Sequence, residues 1–259
     1  MEMLRDKVVV VTGASSGIGA LTSRMLSEQG AIVILTARSV DKLEQVGAML
    51  PGQHEIIPLD VGSDDEVARV FDRIYESYGR IDVLLNNAGY GKFEYCDEMP
   101  VQGFADMMNV NYMGIVRCTK AVLPFMKRAG TGQIVNIASI AGKLGTSKST
   151  AYTATKHAVL GFSNALRQEV KEFGITVSTV NPGPIDTPFF ELADPGGGYV
   201  KNVKWFMMKP QKVASAIVSV IQKRRAEVDL PWAAGMGIKL YQLFPRLADR
   251  LSYKLLNKK

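Results

Sequence analysis

VVVVTGASSGIG, at residues 8–19, is the stretch that decides the fold. Its four valines and the following threonine form a continuous β-branched run, which is typical of a strand buried on both faces of a parallel sheet. Gly13, Gly17 and Gly19 then lead into an amphipathic segment that extends to about Gln29. A strand, a glycine turn and a helix in this order predict a phosphate-binding site, because glycine lets the backbone approach an anion that the helix N-terminal amides face. Glycines alone would also fit an ordinary tight turn.

The same alternation of strand and helix continues along the chain. Further short apolar runs predict strands at residues 31–37, 55–59, 81–85, 133–138, 176–180 and 227–230, and helical segments lie between them. At 259 residues the chain is long enough for one large α/β domain and too short to favour two. We therefore predict a single doubly wound α/β domain over residues 1–230, with residues 231–259 as a helical C-terminal extension of it.

The composition favours an ordinary soluble protein of the reducing cytoplasm. Hydrophobic residues make up 47% and charged residues 22%, and no apolar run approaches the roughly 20 residues that span a bilayer. The opening residues lack the charge asymmetry and the apolar length of a secretion signal. The two cysteines, Cys96 and Cys118, have no metal-like spacing, so we expect no bound metal.

The net charge of +6 is concentrated at the C-terminal end. From Lys201 onward there are 13 lysines and arginines against 3 aspartates and glutamates, whereas the first 200 residues have 18 against 22. Apolar residues recur there at helical spacing, interrupted at Pro245, which predicts two short amphipathic helices. They are Trp232, Met236, Leu240, Leu243, Leu247, Leu251 and Leu255. This basic extension is able to cover the active-site mouth, pair with a second subunit, touch an anionic membrane or dock an acidic acyl carrier. A solvated surface is the simpler alternative, and we expect no nucleic-acid partner.

Polar and small residues follow the predicted strands at the sheet edge where ligands bind. The second strand ends in Arg38 and Ser39. Because an arginine here accommodates a 2′-phosphate whereas an acid would bind the ribose 2′-hydroxyl, Arg38 favours NADP(H) over NAD(H). The nearest acid, Asp41, lies beyond it, and Arg38 as an ordinary surface charge is the alternative. The other candidate cofactor residues stand in the glycine turn and after later strands, where some would equally fit plain turns: Gly13, Ser15, Ser16, Gly17, Ile18, Gly19, Asp60, Val61, Asn87, Ala88, Gly89, Pro182, Gly183, Ile185 and Thr187.

Tyr152 and Lys156 are the candidate chemical groups. A spacing of four residues in a predicted helix places a phenol and an ammonium on one face. A free tyrosine, with a pKa of about 10, is a poor acid at neutral pH until a neighbouring cation stabilises its phenolate. Ser139 follows the fifth strand at the same sheet edge. Asn111 stands among apolar neighbours in a long helix predicted from about Val101 to Lys127, where its amide needs partners, either as a satisfied core amide or as the anchor of a relay water.

Together these motifs resemble the short-chain dehydrogenase/reductase family. The resemblance rests on Thr12-Gly13 to Gly19, Asn86-Asn87-Ala88-Gly89, Asn111, Ser139, Tyr152 with Lys156, and Pro182-Gly183, and it extends from about Asp6 to Leu230. It implies a Rossmann-like domain with a seven-stranded parallel sheet, helices on both faces, and a homodimer or homotetramer. By the same resemblance Ser139 holds the substrate oxygen and Tyr152 exchanges its proton. Lys156 lowers the Tyr152 pKa and binds the nicotinamide ribose, and Asn111 anchors a relay water.

Residues 184–210 are the candidate substrate lid. They combine Phe189, Phe190, Trp205 and Phe206 with three consecutive glycines, which predicts a mobile cover over an apolar substrate. A surface loop packed on the body is the alternative. The sequence thus predicts an oxidoreductase that transfers hydride between NADP(H) and the carbonyl or alcohol group of a fairly apolar small molecule. The alternatives are a 3-oxoacyl-[acyl-carrier-protein] reductase and a non-enzymatic NADP(H)-sensing regulatory protein.

Overall fold

The architecture is a parallel β-sheet between two layers of helices. A computed structural model of the chain describes residues 4–243 and residue 246. Seven strands are present in these residues: β1 (Val8–Thr12), β2 (Ile32–Ala37), β3 (His54–Pro58), β4 (Val83–Asn86), β5 (Gly132–Ile137), β6 (Ile175–Pro182) and β7 (Glu227–Leu230). They form one sheet in the order β3-β2-β1-β4-β5-β6-β7, and each neighbouring pair is parallel. The predicted seven-stranded parallel sheet is therefore confirmed.

Helices cover both faces of this sheet. The described helices are α1 (Gly17–Ser27), α2 (Val40–Gly47), α3 (Asp64–Tyr78), α4 (Val101–Met108), α5 (Gly114–Ala129), α6 (Thr150–Glu169), α7 (Phe189–Ala193), α8 (Gly198–Val203), α9 (Pro210–Lys223) and α10 (Trp232–Leu243). One core contains Val9 and Val11 of β1 together with apolar residues of α1, α2 and α9. The other contains Val8 and Val10 with residues of α3, α5 and α6. Successive valines of β1 point to opposite faces, so a continuous apolar run is what a strand covered on both sides requires.

The sheet order reverses between β1 and β4. Strands β2 and β3 are added on one side of β1, and β4 to β7 are added on the other. The carboxyl ends of β1 and β4 therefore mark the point where the strand order reverses, which is where parallel α/β sheets bind ligands.

The long helix predicted over residues 101–127 is interrupted. It consists of α4, a π-helical turn at Asn109–Met113 and α5. The π turn contains one extra residue per hydrogen-bonded ring, and its buried member is Asn111. Sequence periodicity alone does not reveal such a turn, because apolar spacing continues through it.

The segment predicted as a lid contains regular structure. Residues 184–210 include α7, α8 and a short 3₁₀ turn at Lys204–Phe206, and Ile185 forms a parallel β-bridge with Met208. At the C-terminus, α10 corresponds to the first of the two predicted amphipathic helices. The predictions that concern Pro245, Leu247, Leu251 and Leu255 lie outside the described residues.

Candidate active site

The glycine turn after β1 is locked against the loop after β4. Asn87 donates its side-chain amide to the carbonyl oxygens of Thr12 and Gly13, at 3.0 Å each. The Thr12 hydroxyl accepts the backbone amides of Asn87 and Ala88 at 3.0 and 3.1 Å. Gly13 has φ +65°, and a Cβ at this position would lie 2.7 Å from the Ala88 Cα. A Cβ on Gly19 would collide with the Gly13 carbonyl and the Asn87 amide. Close backbone approach therefore requires both glycines.

A cavity of about 1200 Å³ lies along the carboxyl edge of the sheet. Every predicted cofactor residue lines it: Gly13, Ser15, Ser16, Gly17, Ile18, Gly19, Arg38, Ser39, Asp60, Val61, Asn87, Ala88, Gly89, Tyr152, Lys156, Pro182, Gly183, Ile185 and Thr187. Ser139 also lines it, whereas Asn111 does not. The cavity includes further residues that the sequence analysis did not select: Lys42, Tyr90, Phe93, Leu144, Thr146, Glu191 and Tyr199.

Two cations stand at the end of the cavity next to β2. Arg38 follows β2, and Lys42 lies one turn further on in α2. Both line the cavity, whereas Asp41 is not among its lining residues. Lys42 was discoverable from the sequence, since it is a second cation only four residues after Arg38, in the first turn of the helix that follows β2. After the neighbouring strand β3, Asp60 accepts the backbone amide of Gly62 at 2.8 Å, so it has a turn role in addition to its place in the cavity.

Tyr152, Ser139 and Lys156 meet where the sheet edge is covered by α6. The Tyr152 side chain is hydrogen-bonded to that of Ser139. The Ser139 oxygen also lies 3.2 Å from the Pro182 carbonyl oxygen, so its single proton is donated either to this carbonyl or to Tyr152. The Lys156 ammonium donates to the Ile137 carbonyl at 2.9 Å and lies 5.6 Å from the centroid of the Tyr152 ring. The helical spacing of four residues therefore does bring the phenol and the ammonium together.

Burial shifts the pKa values of this pair in opposite directions. Loss of hydration raises the pKa of Tyr152 to about 12, against which the Ser139 hydrogen bond acts. The same loss of hydration lowers the pKa of Lys156 to about 8, so at neutral pH its amine is still mostly protonated. In this geometry the burial of Tyr152 outweighs any effect of the ammonium, and the lowering of the Tyr152 pKa by Lys156 stays a prediction.

Asn111 is fully buried and its amide is satisfied by protein groups. Its oxygen accepts the Tyr90 backbone amide at 2.9 Å. Its nitrogen donates to the Tyr90 carbonyl at 2.8 Å and to the Thr155 hydroxyl at 3.2 Å. Gly89 lies between this amide and the active site, since a Cβ there would be 3.0 Å from the Asn111 oxygen and 3.8 Å from the Lys156 ammonium. The structure thus gives Asn111 the role of fixing the loop after β4, and the relay water remains a prediction.

Aromatic side chains surround Tyr152 on the side away from the glycine turn. Phe93 meets the Tyr152 ring edge-on at 6.0 Å, and Phe189 lies 5.7 Å from it. Phe190 and Tyr199 extend this group, with Tyr199 5.0 Å from Phe93 and 5.5 Å from Phe190. Phe189 and Phe190 of the predicted lid therefore face the cavity rather than the solvent alone.

The lid is joined to the body by backbone hydrogen bonds. The Phe93 amide donates to the Ala193 carbonyl at 2.8 Å, which links the loop after β4 to α7. The next residue, Glu94, donates to the Lys148 carbonyl at 2.9 Å. No local sequence pattern identifies Phe93 as a wall residue, because its position depends on contacts between segments far apart in the chain.

A nearly buried charge cluster stands behind Ser139. Lys143, four residues after Ser139, forms ion pairs with Glu227 and with Asp229, the latter at 2.6 Å. Asn181 donates to the same two carboxylates at 2.9 and 2.8 Å. Burial by itself would lower the pKa of Lys143, but hydrogen bonds to Asp229 and Glu227 outweigh it and raise that pKa. The cluster connects the segment after Ser139 to β6 and β7.

Comparison with known proteins identifies the family. A family model described as short chain dehydrogenase matches residues 7–195. The 3-ketodihydrosphingosine reductase of Bacteroides thetaiotaomicron is 39% identical over 259 aligned residues, which cover 94% of this chain and 92% of that protein. The chain belongs to the short-chain dehydrogenase family of oxidoreductases.

Two solved structures share the fold at close to full length. A short-chain dehydrogenase from Streptomyces avermitilis superposes with a TM-score of 0.82 at 31% identity, covering 96% of this chain and 97% of its own. A metagenomic short-chain oxidoreductase, solved in complex with NADP, has a TM-score of 0.76 at 30% identity and covers 88% of this chain and 98% of its own. The family resemblance drawn from the ordered motifs is confirmed.

Proposed function

We propose that this protein transfers hydride between NADP(H) and the carbonyl or alcohol group of a fairly apolar small molecule. One observation carries the proposal: the glycine turn and a group of aromatic rings line the same cavity as Tyr152, which is hydrogen-bonded to Ser139 and beside Lys156. A cofactor along the glycine turn and a substrate among the aromatic rings, named here the aromatic half of the cavity, would meet at the Tyr152 hydroxyl.

Each residue then has a distinct task in ketone reduction. When bound, NADPH supplies the hydride that reduces the carbonyl carbon. The Tyr152 hydroxyl gives its proton to the developing alkoxide, and the Ser139 hydroxyl holds that oxygen by a hydrogen bond. The Lys156 ammonium stabilises the phenolate that Tyr152 becomes, and in the oxidative direction the phenolate takes the proton back.

The preference for NADPH is proposed from the cations beside β2. Arg38 and Lys42 line the cavity where a 2′-phosphate would lie, and the carboxylate of Asp41 does not. Charge-assisted hydrogen bonds are worth about 1.5 to 3 kcal/mol each. Replacing Arg38 by alanine is therefore expected to weaken NADPH binding about 10- to 100-fold and to leave NADH binding nearly unchanged, as measured by titration of protein fluorescence.

The matched control for this titration is Arg69→Ala. Arg69 is an exposed arginine of α3 outside the cavity, so its replacement removes the same charge from the protein without touching the proposed 2′-phosphate site. Equal affinity of the unmodified protein for NADPH and NADH would overturn the cofactor assignment.

A long-chain 3-oxo amine is a more specific candidate substrate. The relative from B. thetaiotaomicron is named for 3-ketodihydrosphingosine, and the aromatic half of the present cavity offers apolar walls for an alkyl chain. Glu191 lines the same half and would pair with an ammonium group next to the ketone. We expect turnover of 3-ketodihydrosphingosine with NADPH, and we expect Glu191→Gln to lower kcat/KM for this substrate about 10-fold, measured by NADPH consumption.

Turnover of a 3-oxoacyl thioester distinguishes the long-chain 3-oxo amine reductase from the 3-oxoacyl reductase alternative. The thioester has no ammonium, so Glu191→Gln should leave its turnover unchanged. Turnover of the thioester but not of the amino ketone would favour a 3-oxoacyl reductase. Absence of turnover across ketones, aldehydes and thioesters would favour the NADP(H)-sensing regulatory protein instead.

Assembly into a homodimer or homotetramer is proposed together with this function. Ala154, Gly161 and Ala165 of α6 are exposed, and small residues on a helix allow close packing against a second copy. The cytoplasmic location stays a prediction.

A further inference from the structure

The lid has an inner face and an outer face of different chemistry. On the inner face, Tyr199 lines the cavity and Val203, one turn later in α8, is buried. The outer face is formed by residues 200–202, between Tyr199 and Val203, and by the residues that follow Val203. Trp205 is 85% exposed and Phe206 is 40% exposed, with their rings in edge contact at 4.8 Å. A large aromatic pair turned toward solvent in a segment that covers an active site is not explained by packing of the lid on the body.

After Asp194 and as far as residue 226, the charge along the chain has a single sign, whereas the three acids of the lid, Asp186, Glu191 and Asp194, all precede this stretch. Between residues 195 and 226 the chain has no aspartate or glutamate and has seven cations: Lys201, Lys204, Lys209, Lys212, Lys223, Arg224 and Arg225. Lys201, Lys204 and Lys209 are exposed on the lid itself. The exposed part of the lid from residue 195 onward is therefore both aromatic and basic.

Helix α10 adds apolar side chains at the same edge of the sheet. It begins directly after β7, whose last residue pairs with Pro182 at the point where β6 leads into the lid. Trp232, Met236 and Leu243 recur along it at helical spacing and are 70%, 58% and 71% exposed. The outer faces of the lid and α10 are named here the aromatic-basic surface, which comprises Lys201, Lys204, Trp205, Phe206, Lys209, Trp232, Met236 and Leu243.

We propose that the aromatic-basic surface docks on an anionic lipid bilayer. Tryptophan rings and the apolar stems of lysines with charged tips are the groups that suit the boundary between lipid headgroups and acyl chains. Each lysine near an anionic membrane surface contributes about 1 kcal/mol to binding. None of the described helices is long and apolar enough to cross a bilayer, so the contact is peripheral. The favoured occupant is a membrane rather than an acidic protein because opposite charge alone would not use two exposed indoles.

Docking in this orientation connects the bilayer with the cavity. Tyr199 and Trp205 belong to the same short segment, and Tyr199 lines the cavity whereas Trp205 is 85% exposed. A substrate dissolved in the membrane would enter beneath the lid without crossing water. The membrane contact itself does not rest on the proposed reaction, and its test needs no substrate.

The two tryptophans allow a direct test, because the chain contains no others. Trp232→Phe leaves Trp205 as the only indole, and Trp205→Phe leaves Trp232. The full-length protein is mixed with phosphatidylcholine vesicles containing 30% phosphatidylglycerol, with or without bromine on the acyl chains. We expect a blue shift of the emission and quenching by the brominated lipid in both variants. Emission that stays unshifted and unquenched at saturating vesicle concentration would overturn the proposal.

Charge variants test the basic part of the surface. Lys201→Gln with Lys204→Gln is expected to weaken binding to the anionic vesicles roughly 25-fold, which corresponds to about fivefold per lysine. Lys120→Gln with Lys171→Gln removes the same charge from exposed positions outside the surface and should change binding less than twofold. Equal weakening by the two pairs would indicate net charge alone and would contradict docking through this surface. A blue shift that rises with protein concentration in the absence of vesicles would contradict it in favour of a second copy of the chain.

Discussion

Replacing Tyr152 by phenylalanine is expected to lower kcat for carbonyl reduction by about 10²- to 10⁴-fold, the usual contribution of a positioned general acid. The change removes only the hydroxyl, and the ring contacts with Phe93 and Phe189 remain. NADPH affinity should change little, because the glycine turn and Arg38 are untouched. Steady-state kinetics together with an NADPH titration separate the two effects.

Two other tyrosines of the cavity provide matched controls. Tyr90 and Tyr199 also line it, and loss of hydration is the largest influence that raises the pKa of each. Tyr90→Phe and Tyr199→Phe should each change kcat by no more than a few fold. If Tyr199→Phe abolished turnover while Tyr152→Phe did not, the proton donor would have to be reassigned to Tyr199.

Replacing Lys143 by methionine is expected to lower the free energy of unfolding by about 3 kcal/mol, because removing one partner of a buried ion pair leaves the other charge unpaired. The side chains of Lys143 and Asp229 are 13% and 12% exposed, so water compensates little for the loss. Since Lys143 also connects the segment after Ser139 to β7, kcat should fall as well. Urea unfolding followed by circular dichroism measures the stability change.

A second substitution distinguishes charge imbalance from lost packing. In the double variant K143M/D229N the carboxylate of residue 229 is gone, and more than half of the lost stability should return.

Arg24→Met is the surface control. It breaks an exposed helical pair with Glu28 and should lower the free energy of unfolding by at most about 0.5 kcal/mol. A Lys143→Met variant no less stable than Arg24→Met would show that the cluster does not stabilise the fold.

Local sequence patterns were sufficient to predict the strands of the sheet. The predicted strands at 8–12 and 227–230 agree with β1 and β7 to the residue, and the other five differ at their ends by one or two residues. The glycine turn and the spacing of Tyr152 and Lys156 were equally readable, because each depends on residues close together in the chain. The motif order then located Ser139 and Arg38 at one edge of the sheet, where the cavity lies.

Contacts between distant segments were not predictable in this way. Lys143 meets Glu227 and Asp229 across more than 80 residues of sequence, and nothing near any of them indicates the pairing. Phe93 and Tyr199 also line the cavity through contacts between distant segments, so their place there was not predictable either. The π turn at Asn111 was missed because its shift of one residue stays within the width of a helix's apolar face. The sequence left open whether Asn111 is a satisfied core amide or the anchor of a relay water. The hydrogen bonds to Tyr90 and Thr155 show that protein groups satisfy its amide, and the relay water stays a prediction.

The charge cluster behind Ser139 also constrains the order in which the chain can assemble. Lys143 belongs to the middle of the sequence, yet its partners arrive with the last strand, β7, at Glu227 and Asp229. During synthesis the glycine turn and the Tyr152 helix leave the ribosome well before that strand does. A nascent chain therefore contains the glycine turn and the Tyr152 helix before Lys143 has either of its carboxylate partners. The ion pairs that join the segment after Ser139 to β7 form only once the last-synthesised strand of the sheet is present.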